Sequence, residues 1–126
     1  MKTIYQKLED LDIVPDLYLR LIKSSARAHK RYDPSRIFLS DKKPFKLYYI
    51  TPEDKKIYFG DSRYNDFFIY DILDHHNIVP EGYAIKRREL YKKRASKIRG
   101  EWYKNIYSKN SLALNLLWQV HVIVNQ

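Results

Sequence analysis

The sequence predicts an α+β fold, a central β-hairpin packed against a long basic helix with flanking helices. Three observations predict it. Residues 45–59 hold two β-branched and aromatic runs separated by a proline turn, the pattern of a hairpin. Stretches on both sides place apolar residues three and four apart, the spacing of helices. The chain has 126 residues, the size of one domain.

The N-terminal element justifies itself first. Pro15 suits the first turn of a helix, and Asp16 suits its positive end. Leu17, Tyr18, Leu21, Ile22 and Ala26 then form an apolar stripe over residues 17–30, with Arg20, Lys23, Arg27, Lys30 and Arg31 on the other face. Residues 1–13 read as a short helical turn or an extended arm. Asp33-Pro34-Ser35 and Ser40-Asp41-Lys42-Lys43-Pro44 are turn signals, and residues 36–39 between them are too short to classify.

In the hairpin, Phe45-Lys46-Leu47-Tyr48-Tyr49-Ile50 pairs with Lys56-Ile57-Tyr58-Phe59 across Thr51-Pro52-Glu53-Asp54-Lys55. Leu47, Tyr49, Ile57 and Phe59 share its expected core face. Gly60-Asp61 ends the second strand, and the polar turn after it leads to a loop-like segment that ends at Gly82. Residues 84–107 read as one long helix, because Tyr91, Ala95, Ile98, Trp102 and Ile106 form a stripe; Gly100 marks a kink or break in it. Asn110 or Ser111 caps a short buried helix with Leu112, Leu116, Leu117 and Trp118. The β-branched run 120–124 suits a strand.

Composition narrows the function classes. Lys and Arg number 24 against 15 Asp and Glu, a net charge of +9 that calls for an anionic or acidic partner. Twelve tyrosines suit contact surfaces as well as a core. The absence of cysteine excludes a disulfide framework and the cysteine-based zinc modules. No apolar run approaches the roughly 20 residues of a membrane-spanning helix, and no apolar leader core follows Met1, so the expectation is a soluble protein made in the cytosol.

The densest candidate surface is basic. Lys86, Arg87, Arg88, Lys92, Lys93, Arg94, Lys97, Arg99 and Lys104 stand against Glu89 and Glu101 on the expected long helix. Such a face contacts phosphates without reading sequence, and Tyr91, Trp102 and Tyr103 offer rings on which bases stack. The bland alternative is a solvated helix whose aromatic stripe is core. Asp61, Arg63 and Asp66 read as a structural clasp, an arginine between two carboxylates. His75-His76-Asn77 invites a histidine-metal nuclease reading, but it lacks a second ligand group at the needed offset, so it reads as an exposed loop. His29 and His121 stand alone. No catalytic residue, metal site or cofactor is expected, and the chain reads as a non-enzyme.

Residues 44–118 resemble a family of small basic proteins of unknown function encoded by large nucleocytoplasmic DNA viruses. Its phrase F-G-D-x-R-Y-x-D-[YF] appears as Phe59-Gly60-Asp61-Ser62-Arg63-Tyr64-Asn65-Asp66-Phe67. Its basic tyrosine-containing helix appears as Arg88-Glu89-Leu90-Tyr91-Lys92-Lys93-Arg94, and its ending as Leu116-Leu117-Trp118. Tyr70-Asp71-Ile72 replaces the family's His-Lys-Asp group, residues 74–82 read as extra sequence, and residues 1–40 fall outside the match as an N-terminal helical extension. The resemblance implies a viral setting. The expected role is a virion structural or minor capsid protein that bridges larger capsid subunits, made in the host cytoplasm and found in virions. The alternative is a nucleic-acid-binding protein that uses the basic helix.

Overall fold

In the computed structural model, which describes residues 2–95 and 97–118, local sequence signals build most of the elements. Thr3 and Gln6 form a reciprocal cap on α1, Ile4–Asp10, whose Ile4 and Leu8 are fully buried one turn apart. Pro15 opens α2, Pro15–His29, which ends at Lys30 in the left-handed conformation. Tyr18, Ile22 and Ala26 recur every four residues along α2 and are buried.

The hairpin strands are β2, Phe45–Ile50, and β3, Lys56–Asp61. A third strand, β1, Ile37–Leu39, pairs antiparallel with β2, so the sheet order is β1-β2-β3. The register sets Ile37 opposite Tyr49 and Leu47 opposite Phe59, and these four side chains face the core at 2% exposure or less. Gly60 lies at φ +77°, and a Cβ there would meet Leu117 Cδ1 at 2.8 Å and Lys46 Cβ at 3.2 Å. Gly60→Ala should therefore destabilise the fold by about 1–3 kcal/mol, measured by urea denaturation; an unchanged midpoint would contradict this close packing.

The polar turn ends at Asp66, which caps a helix that the sequence reading did not anticipate. This is α3, Phe67–His75, with Phe68, Ile69, Ile72 and Leu73 buried. Against it packs α4, Tyr83–Ala95. The helix expected over 84–107 is thus about half its expected length, 13 residues ending at Ala95. Gly100 takes φ +93°, and Trp102–Lys104 forms a 3₁₀ turn. The Trp102 carbonyl accepts the hydroxyls of Ser108 and Ser111 at 2.9 and 3.2 Å, where a continuous helix would offer it the amide four residues on. Ile98, expected on the stripe, is 42% exposed.

Ser108, rather than Asn110 or Ser111, caps α5, Lys109–Leu112, which continues as a wider π-helical stretch, Ala113–Leu117. Asn115 in that stretch is buried and donates to the Ser111 carbonyl at 2.9 Å and the Tyr32 hydroxyl at 3.2 Å. Tyr32 in turn donates to the Ile106 carbonyl at 2.6 Å. The expected strand over 120–124 lies outside the described residues. Ile4, Leu8, Tyr18 and Ile22 share one apolar cluster with Leu47, Phe59, Ile69, Leu112, Leu114, Leu116 and Leu117, so the first 40 residues help to build the core around which the later elements pack.

Candidate functional site: a basic and apolar face around a hollow

The phase of α4 sorts its charges. Arg87 and Arg94, two turns apart, line a hollow of about 500 Å³ between α4, residues 60–65 and the C-terminal helix. Lys46, Asn65, Tyr91 and Trp118 complete its working wall. Arg88 lies over the Phe67 ring at 4.8 Å, which carries it onto α3. Lys86, Lys92 and Lys93 are exposed. Lys97, Arg99 and Lys104 lie beyond the end of α4; the first two are exposed, and Lys104 pairs with Glu101 at 3.0 Å. The nine basic residues therefore do not form one helical face. The backbone turns away after Ala95 and divides them.

The hollow is lined by two residues that each hold a buried atom without a hydrogen-bond partner, Asn65 Oδ1 and Arg87 Nε. Its aromatic wall is fixed: Tyr91 stacks on Trp118 with centroids 4.5 Å apart and planes 9° from parallel. Burial holds the Tyr91 hydroxyl above its ordinary pKa. This stacking commits Tyr91 to the fold, and Trp102 meets Tyr103 edge-on at 6.0 Å. The ring of Tyr91 is thus not the open platform considered from sequence.

A second hollow shares Tyr64, Tyr91 and Arg94 with the first and extends to Ala95 and Ile98. Around the two, Tyr64 is 64% exposed, Leu90 45% and Ile98 42%. These large apolar groups stand beside arginine at the protein surface.

The expected clasp is only half present. Arg63 forks onto Asp61, with Nη2 2.7 Å from Oδ2, and this bond above all holds the Asp61 carboxyl below its usual range. Asp66 turns the other way, into the protein. Its Oδ2 accepts from Lys46 Nζ at 2.9 Å and from the Tyr18 hydroxyl, and its Oδ1 accepts from the Ile69 amide at 3.0 Å. Lys46 and Asp66 are 2% and 0% exposed, so this is a buried ion pair that ties α2, β2 and α3 together. Sequence reasoning missed Lys46, Asn65 and Tyr18. A lysine amid strand-forming residues was the available signal, because strand interiors rarely carry one without a partner.

His75 and His76 end α3 and are exposed. His75 Nδ1 lies 2.8 Å from the Asp71 carbonyl, a bond that raises its pKa. Among the described residues no three His, Asp or Glu side chains converge as metal ligands, and no helix is long and apolar enough to cross a membrane. No protein-family model, curated protein or solved structure matches the chain.

Proposed function

We propose that the protein is a small structural assembly protein, whose face around Arg87 and Arg94 docks an acidic patch on a larger protein. The observation that supports this most is the apolar set Tyr64, Leu90 and Ile98, exposed beside those arginines. A surface that only met phosphate would need the cations and not the apolar groups. Protein interfaces combine the two, with aromatic and arginine anchors at the centre and polar groups at the rim. The virus-family resemblance in residues 44–118 supplies the setting: a minor capsid component that bridges capsid subunits in a virion of a large DNA virus.

The experiment starts from exposed residues, so that folding is spared. Wild-type protein should co-purify with intact virions at a fixed ratio to the shell protein. Leu90→Asp with Arg94→Glu should lower that incorporation at least tenfold, the loss of a central anchor, with an unchanged melting temperature. Wild-type protein missing from virions would overturn the reading, and so would incorporation that ignores both substitutions.

A second reading is favoured by the exposed lysines Lys86, Lys92 and Lys93 on α4. They suit the backbone of double-stranded DNA. In that case log affinity should fall with log salt at a slope of about −0.9 per phosphate met, and charge reversal at Arg87, Arg88, Lys92 and Lys93 should abolish binding.

A further inference from the structure

The sheet face turned away from the core carries a row of rings. The register sets Phe38 opposite Tyr48, and Tyr48 opposite Tyr58, so each strand contributes one ring at the same level. Phe38 and Tyr48 have centroids 5.2 Å apart and planes 18° from parallel. Tyr48 and Tyr58 follow at 5.3 Å, and Phe45 extends the row at 5.6 Å from Tyr58. Phe38, Tyr48 and Tyr58 are partly buried, as is Phe45 at the end of the strand beside them, while Ile37, Leu47, Tyr49 and Phe59 are buried.

Each ring also carries one ammonium group. Lys23 lies over Phe38 at 5.9 Å, Lys56 over Tyr48 at 5.1 Å, Lys42 over Tyr58 at 5.0 Å and Lys109 over Phe45 at 4.9 Å. These lysines come from α2, β3, the turn before β2, and α5. A cation over a partly exposed ring is held weakly, and the long lysine stem lets the charge swing aside while staying near. What fits is a polymer that brings a planar group and a negative charge in every unit. A duplex hides the faces of its bases, and an acidic peptide meets the lysines but leaves the rings bare.

We infer that the outer face of the sheet binds single-stranded nucleic acid, with bases stacked on the ring row and phosphates held by its lysines. Recognition is indifferent to sequence, since every base offers a flat face. None of these rings or lysines lines the hollow beside α4, so this site is independent of the proposed protein-docking face.

The test is fluorescence anisotropy of the full chain with a labelled 20-nucleotide oligothymidylate, its duplex with oligoadenylate, and unlabelled polyglutamate as competitor. The single strand should bind at least tenfold more tightly than the duplex. Tyr48→Leu and Tyr58→Leu should each weaken it about tenfold. Lys42→Gln with Lys56→Gln, both at exposed positions, should flatten the salt slope by about 1.4. Charge reversal at Lys92 and Lys93 should leave single-strand binding in place, which separates this site from α4. Equal affinity for the duplex overturns the inference, as does displacement by polyglutamate at equal charge together with no effect of the ring variants. Should the leucine variants fail to fold, an unaltered salt slope in the double-glutamine variant overturns it on its own.

Discussion

Asp66→Asn should cost about 3–5 kcal/mol of stability, the loss expected when one partner of a buried ion pair is removed. The amide keeps an oxygen for the Ile69 amide, so the cap on α3 survives. What is lost is the charge beside Lys46, which stays at 2% exposure with no counter-ion. The new NH₂ group also faces two donors, the Lys46 ammonium and the Tyr18 hydroxyl, with nothing to give them. For a domain of this size the melting temperature should fall on the order of 10–20 °C. Adding Lys46→Met should return at least half of the loss, because the orphaned charge goes with it. Urea denaturation of the two single variants and the double variant decides the matter. A loss under about 1 kcal/mol for Asp66→Asn, or strict additivity in the double variant, would show that the pair is not what joins α2, β2 and α3.

The second large effect is alkaline unfolding. Stability should stay level from neutral pH to about pH 10 and then drop steeply. Tyr18 is held well above its ordinary pKa by burial first, and then by the charge and hydrogen bond of Asp66. Burial likewise raises Tyr32, and also Tyr49 and Tyr91. In the unfolded chain these hydroxyls ionise near pH 10. Above that pH the folded state holds protons that the unfolded state has released, so stability falls as pH rises. Each retained proton costs about 1.4 kcal/mol per pH unit, against a typical domain stability of about 5–15 kcal/mol. Lys7, whose pKa is lowered chiefly by burial, opposes this, since it gives up its proton more readily when folded. Tyrosinate absorbance from the buried rings should therefore appear only together with loss of circular dichroism. Ionisation of those rings with the fold intact would contradict it.

What could be read from the sequence was local. Pro15 and the four-residue spacing from Tyr18 to Ala26 define α2 without help from elsewhere. The hairpin is equally self-contained, since its turn and both strands lie within 17 residues. By contrast, α3 is apolar over most of its surface, and its run of Phe67, Phe68, Ile69 and Tyr70 has no helical period to read. The stripe beyond Ala95 misled for the opposite reason. Its spacing persists, but the Trp102 carbonyl is claimed by the hydroxyls of two serines six and nine positions downstream, a bond that apolar spacing does not report. At the site, residue type was plain and placement was not. That Arg87 and Arg94 line the hollow while Lys92 stands outside follows from helix phase against α3. The Asp66 carboxylate points away from Arg63 because Lys46, twenty positions earlier, is waiting inside.

The bonds made by Tyr32 have a consequence in time. Its hydroxyl reaches Ile106, 74 positions on, and Asn115, 83 positions on. At roughly 5–20 residues per second of synthesis, the ring is made several seconds before either partner exists. Until then the apolar side of α2 has only part of its cover. These bonds of Tyr32 can therefore be made only after residues 106 and 115 have been added. During synthesis that interval is when the nascent chain offers the most to a chaperone, and when crowding against a neighbouring copy does the most harm.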